Sequence, residues 1–183
     1  HTSGSQDYEA LFIQNRSPLD TLNNQKMIQL FEKLAPPLDF EPGTKWSYSN
    51  TAYILLAVII ERISKQSLID FTDTNIVKPL GLKNTYVHNV YNSNIPSTHV
   101  FGFSEKDGKR VLNDLFYMDG VTGDGNFYAS IEDLLRWEQS FYTEKLLKKS
   151  TINRVFSPVI LYDGTTYPYG FGWFIDKESE QYS

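Results

Sequence analysis

Apolar residues recur at helical spacing over Asn24 to Ala35, where Met27, Ile28, Leu30, Phe31 and Leu34 mark one face. Pro36 and Pro37 end that run. Ahead of it, residues 1–24 read as polar and loop-like apart from Leu11, Phe12 and Ile13. Glu41-Pro42-Gly43-Thr44 is a turn signal. A helix is then expected from Asn50 to about Lys65, with Asn50 as its N-cap. It carries Ala52, Ile54, Leu55, Leu56, Val58, Ile59, Ile60 and Ile63, apolar on nearly every side, which predicts a central helix wrapped by other elements. A further helix is expected over Ser67–Val77, stopped at Pro79-Leu80-Gly81.

Val100 to Asn113 reads as a hairpin turning at Asp107-Gly108. Ser130-Ile131-Glu132-Asp133 is an imperfect capping box. The helix it opens places Ile131, Leu134, Leu135, Trp137 and Phe141 on one stripe. A short helix over Ser150–Phe156 ends before Pro158, and Tyr169–Ile175 reads as a strand. The expected class is mainly α with a small β-hairpin and a terminal strand.

Composition narrows the function. The 183 residues suffice for one ordinary domain or two small ones, and 40 % hydrophobic with 15 % aromatic content describes a folded chain. A net charge of −5 with no long block of one sign disfavours nucleic-acid and membrane-surface binding. The run Ile54–Ile60 is too short to span a bilayer. With no cysteine there is no disulfide, thiolate metal site or cysteine nucleophile.

The candidate chemistry sits in Trp46-Ser47-Tyr48-Ser49-Asn50. Tyr48 and Asn50 are two apart, so an extended backbone points both side chains the same way. A phenol oxygen can move a proton, and a carboxamide can hold a substrate amide carbonyl. The alternative is structural: Asn50 caps the helix and Tyr48 packs beside it. The spacing of His1, His88 and His99 fits no metal motif, and neither a metal nor a cofactor is expected. Asp119, Asp124 and Asn126 lack the EF-hand spacing and its closing glutamate, so that stretch reads as a glycine-rich loop near the site. The aromatics Trp46, Tyr53, Phe101, Phe116, Tyr117 and Trp173 read as core rather than a ligand cage.

Several stretches occur together in a telling order: His1-Thr2-Ser3-Gly4, Glu41-Pro42-Gly43 followed by Tyr48-Ser49-Asn50, Ile76–Thr85, Gly123–Ser130 leading into IEDLLRW, and Tyr169–Trp173. In these the chain resembles the class C-like branch of the serine β-lactamase and penicillin-binding protein superfamily. That branch holds β-lactamases, D-Ala-D-Ala carboxypeptidases and related esterases. The resemblance implies the helical domain of a β-lactamase/transpeptidase-like α+β fold. It also implies Tyr48 as general base, acting as phenolate, and Asn50 as a contact to the substrate's acyl side chain. The implied substrate is a β-lactam, D-Ala peptide or ester, and the implied compartment is the bacterial periplasm or cell envelope.

Two motifs of that family are missing. No serine has a lysine three residues on, and there is no Gly-x-Ser-x-Gly elbow. Lys106-Asp107-Gly108 has the outline of the Lys-Thr-Gly strand but lies in the expected hairpin turn. The chain therefore reads as one segment, 1–183, from the middle of a larger serine hydrolase, with 169–175 a strand of the parent α/β domain. Alone it is expected to be inactive, and to self-associate through the apolar face that would dock that domain. The competing reading is a non-catalytic binding or scaffolding domain that keeps the fold.

Overall fold

The computed structural model describes residues 1–17, 20–91 and 95–176. A helix the hydrophobic pattern did not suggest opens the chain. α1 (Tyr8–Asn15) is capped by Asp7, whose carboxylate accepts the Ala10 N–H at 2.9 Å. Its buried residues, Tyr8 and Phe12, are one turn apart. The loop expectation for residues 1–24 thus fails because one turn-spaced aromatic pair and a good cap suffice when a core is waiting.

α2 (Asn24–Leu34) is capped by Asn23 and ends with Ala35 in the left-handed region, directly before Pro36. α3 (Asn50–Ser64) is capped by Ser49, whose hydroxyl accepts the Ala52 N–H at 3.1 Å. Ser49 rather than Asn50 is the cap, which leaves the Asn50 side chain free of that duty. Thr51, Ile54, Ala57 and Val58 of α3 face inward. Ile54 joins Tyr8, Phe12, Leu22, Met27, Met118 and Val121 in the central cluster. The helix is not wrapped, however: Leu56, Ile59 and Ile63 are half or more exposed. The hydroxyl of Thr51 clamps α1 to α3, accepting the Tyr8 N–H at 3.0 Å and donating to the Gln6 carbonyl at 2.7 Å.

α4 (Leu68–Thr72), capped by Ser67, runs into a π-helical turn over Asp73–Val77 and then α5 (Lys78–Leu80). Pro79 has no N–H for the carbonyl one turn back, and the widened turn before it accommodates that gap. Gly81 ends the run with φ +66°.

The strands are short antiparallel pairs. β1 (Tyr86–Val87) pairs with β4 (Phe127–Tyr128), β2 (Phe103–Lys106) with β3 (Lys109–Leu112), and β5 (Val159–Ile160) with β6 (Thr166–Tyr167). The β2–β3 hairpin turns at Asp107 and Gly108, both at positive φ as a primed turn requires, and it stands entirely in solvent. The Lys106-Asp107-Gly108 stretch is therefore a turn. Tyr169–Ile175, expected as a strand, folds back on itself. Gly170 N–H donates to the Trp173 carbonyl at 2.8 Å, Gly172 takes φ +85°, and Tyr169 bridges Phe174. The architecture is a partial α+β fold in which small sheets accompany the helices, so "mainly α" describes it only loosely.

α6 (Ile131–Ser140), capped by Ser130, splits its apolar stripe: Ile131, Leu134 and Leu135 are half or more exposed, while Trp137 packs edge-on against Phe141, which meets Phe156 and Trp173. Its anchor is polar. The buried Asp133 carboxylate accepts the Asn84 N–H at 2.6 Å, the Thr85 hydroxyl at 3.0 Å and the Arg136 guanidinium at 2.7 Å. α7 (Lys149–Val155) follows.

The N-terminal residues are laced along the 39–49 loop. Carbonyls of Gly4, Thr2 and His1 accept the N–H groups of Asp39, Gly43 and Ser47 at 2.8, 2.9 and 2.8 Å. Gly4 sits at φ +68°, and a Cβ there would stand 2.0 Å from the Phe40 carbonyl oxygen.

Two expected outcomes follow from these contacts. Gly4→Ala combines left-handed strain with a backbone clash and should cost about 2–3 kcal/mol, lowering Tm by roughly 5–10 °C in a thermal melt. An unchanged Tm would mean that residues 1–5 are not held against the loop. For Asp133, burial alone would raise the carboxyl pKa, but donors from Asn84, Lys83, Thr85 and Arg136 outweigh it and hold it below the ordinary value of 3.8. The unfolded carboxyl takes up its proton first, near pH 4. Asp133 thus stabilises the fold above that pH, and its contribution is lost as pH falls through the folded pKa. Asp133→Asn should flatten the acid limb of a stability–pH curve; an unaltered limb would contradict this.

Candidate functional site

Ser49 is extended (φ −143°, ψ 106°), so Tyr48 and Asn50 flank an extended residue at the mouth of α3. Tyr48 is 58 % exposed, and Asn50 is half-buried. Both line a small cleft of about 170 Å³ together with Gly4, Asp7, Asp39 and Thr51. The structure thus brings the two sequence-predicted residues to one accessible surface. The cleft lining includes two carboxylates and, among the described residues, neither lysine nor arginine.

What holds this geometry is His1. Its ring lies 4.3 Å from the Tyr48 ring, centroid to centroid, and 4.9 Å from that of Tyr53. Ser49 N–H donates to His1 Nδ1 at 3.0 Å. A neutral imidazole has one proton, so that bond places it on Nε2, which lies 3.0 Å from Tyr169 Oη. The Tyr169 and Tyr53 phenols influence one another's ionisation. A hydrogen-bonded chain therefore runs from the Ser49 backbone through His1 to Tyr169, with the Tyr53 ring against His1. Burial pushes the Tyr53 phenol up from its ordinary pKa, while Tyr169 partly offsets this. The Tyr169 phenol is pushed up further, first by burial and then by Tyr53 and Tyr48. Both phenols thus stay protonated near neutrality.

Behind this chain Trp46 stacks on Tyr167 at 4.0 Å and 11°. Trp46, Tyr53, Leu56, Tyr169 and Phe171 line a second, larger groove of about 680 Å³ that also meets His1. The Gly123–Asn126 loop lies against α3, as expected of a loop near the site. A Cβ on Gly123, at φ +120°, would come within 2.6 Å of Ala57 Cβ and 2.8 Å of the Tyr53 carbonyl oxygen. In that loop Asp124 accepts the Tyr8 hydroxyl at 2.9 Å. Burial raises the Asp124 carboxyl, with Tyr8 and backbone N–H groups opposing.

The sequence shows His1 within the His1–Gly4 stretch but gives no sign of its bonds to Ser49 and Tyr169. The HTSG and Tyr169–Trp173 stretches had both been singled out, so the signal was present without the contact. The sequence gives no sign either of a second constellation, His88, His99 and Asp114, whose members meet only in the fold. Ser49 and Ser3 are occupied locally, accepting the Ala52 and Ser5 N–H groups at 3.1 and 3.2 Å.

The chain is similar to known proteins along its whole length. It is 36 % identical over 191 positions to Penicillin-binding protein 4* of Bacillus subtilis (strain 168), an alignment covering 99 % of this chain and 42 % of that protein. A D-aminopeptidase of Gluconobacter oxydans (strain 621H) is 26 % identical over 171 positions, 93 % of this chain and 32 % of the relative. The chain thus spans less than half the length of these curated relatives. Among solved structures, a penicillin binding protein from Bacillus halodurans superposes with TM-score 0.80 at 24 % identity, over all of this chain and 56 % of the other, which shows a shared fold. The family model described as Beta-lactamase matches residues 1–182. The chain belongs to the Beta-lactamase family.

Proposed function

We propose that the protein carrying this chain is a serine acyl-transfer hydrolase, with Tyr48 as general base and Asn50 as the contact to the substrate's acyl side. The observation that carries this reading is an exposed phenol held beside a carboxamide whose capping role has been taken over by Ser49. The family membership and the names of the relatives, a penicillin-binding protein and a D-aminopeptidase, support amide or lactam substrates.

In this reading Tyr48 Oη takes the proton of a serine hydroxyl as that oxygen attacks the substrate carbonyl. The proton then passes to the leaving nitrogen, and an acyl-serine remains. Water attacks the acyl group with Tyr48 again accepting a proton, and the serine oxygen recovers its hydrogen. Asn50 Nδ2–H donates to the substrate's amide carbonyl and fixes its orientation. A tyrosine ordinarily ionises near pH 10, so a phenolate at neutrality needs a cation close by. The acidic lining of the cleft does not provide one. The lysine of a Ser-x-x-Lys motif outside these residues supplies it, along with the nucleophile. The 183 residues alone are then inactive, because groups that act as a unit fail together.

The same reading accounts for the open apolar face. Leu56, Ile59 and Ile63 on α3 are each worth roughly 1–2 kcal/mol once covered. In the parent a second domain covers them; in the isolated chain a second copy does. Light scattering of the 183-residue chain should show an average mass that rises with concentration, and a monomer at every concentration would count against that docking face.

In the full-length protein, Tyr48→Phe should lower kcat/KM for a D-amino acid amide or penicillin by ~10²–10⁴-fold. Asn50→Ala should lower it roughly tenfold. Full activity in Tyr48→Phe would overturn the assignment and favour a domain kept for binding.

A further inference from the structure

We propose that His88, His99 and Asp114 form a site for one divalent transition-metal cation of the zinc class. The three come from separate stretches: His88 just after β1, His99 ahead of the exposed hairpin, and Asp114 just behind it. One ligand atom from each falls within 4.8 Å of the others. Donors on a tetrahedral zinc stand roughly 3.4 Å apart, given bonds of about 2.1 Å, so a shift of at most about 1.4 Å seats all three.

The hydrogen bonds aim two ligand atoms at one another, and an ion between them would replace a single bond. Gly102 N–H occupies Asp114 Oδ1 at 2.8 Å, which turns Oδ2 to His99 Nε2 at 2.9 Å. Tyr86 Oη lies 2.6 Å from His99 Nδ1. An ion at Nε2 moves the ring proton to Nδ1, which then donates to Tyr86 Oη and keeps the ring oriented.

The independent observation is His88. It is 2 % exposed, and neither ring nitrogen has a hydrogen-bond partner among the described residues. Buried imidazole nitrogens without partners are costly, and a buried polar group in that state calls for an explanation. Its ring meets that of His99 edge-on at 5.3 Å. The site is sheltered: the His99 and Asp114 side chains are only 1 % and 9 % exposed. Phe101 and Tyr128 close against His99 at 4.6 and 4.9 Å.

Two neutral imidazoles and one carboxylate suit zinc or a similar borderline ion and fit calcium or magnesium poorly. The site shares no residue with the Tyr48 cleft. Its effect is structural: it pins the base of a hairpin whose own residues are all exposed to the β1–β4 pair.

The test uses the purified protein stripped with EDTA and titrated with Co²⁺. One Co²⁺ per chain is expected, held by the three side chains and one water, with the visible bands of four-coordinate cobalt, bleached by equimolar Zn²⁺. His88→Gln and Asp114→Asn should each weaken uptake at least tenfold. Asp114→Asn keeps an oxygen for Gly102 N–H and so preserves the fold, which far-ultraviolet circular dichroism checks. Zn²⁺ should raise the Tm of the unaltered protein and leave that of Asp114→Asn unchanged. Absence of uptake by the stripped protein, or equal uptake by both variants, overturns the proposal.

Discussion

The bond from Ser49 N–H to His1 Nδ1 is the constraint on which the candidate site depends. It joins the first residue of the chain to the cap of α3, across 48 positions of sequence. One backbone donor settles the imidazole's tautomer, and the tautomer aims the Nε2–H at Tyr169 Oη. The same ring supports Tyr48 from behind, so the exposed phenol has a fixed wall rather than a free swing. The backbone lacing of residues 1–4 onto residues 39–47 brings His1 there, and it requires a glycine at position 4. Packing, hydrogen bonding and site geometry are thus one arrangement seen at three scales.

The core explains why α3 is where the site begins. Ile54 joins the cluster that includes Leu22 and Met27, and Thr51 ties the first turn to α1. The first turn of α3 is therefore rigid, while Leu56, Ile59 and Ile63 further along remain uncovered. α6 behaves likewise, anchored by a buried carboxylate while Ile131, Leu134 and Leu135 stay exposed. Two helices with apolar residues turned to solvent are physically coherent if this surface normally meets more protein.

Much of this was legible in the sequence where a local rule decides the outcome. Periodicity with Pro36 located α2, Asp107-Gly108 located the hairpin turn, and Ser130 located the start of α6. Where tertiary contacts decide, the sequence was silent or misleading. α1 shows only a brief apolar pattern, and the two-residue pairs β1–β4 and β5–β6 are too short for alternation to register. Tyr169–Ile175 has strand composition, yet Gly170 and Gly172 let it turn back so that Tyr169 bridges Phe174. At the site, Tyr48 and Asn50 were visible as a short motif because both come from one stretch. The roles of His1, Tyr53 and Tyr169, and the meeting of His88 with His99 and Asp114, arise from segments far apart in sequence, and no spacing rule encodes them.

The central claim is that this chain supplies one wall of an acyl-transfer site while the nucleophile lies outside it. Intact-mass spectrometry of the purified 183-residue chain, with and without a reactive penicillin, tests that most directly. The account predicts an unchanged mass of 21.1 kDa in both samples. A covalent penicilloyl adduct on a chain of that mass would contradict it, since a nucleophile would then lie among these residues.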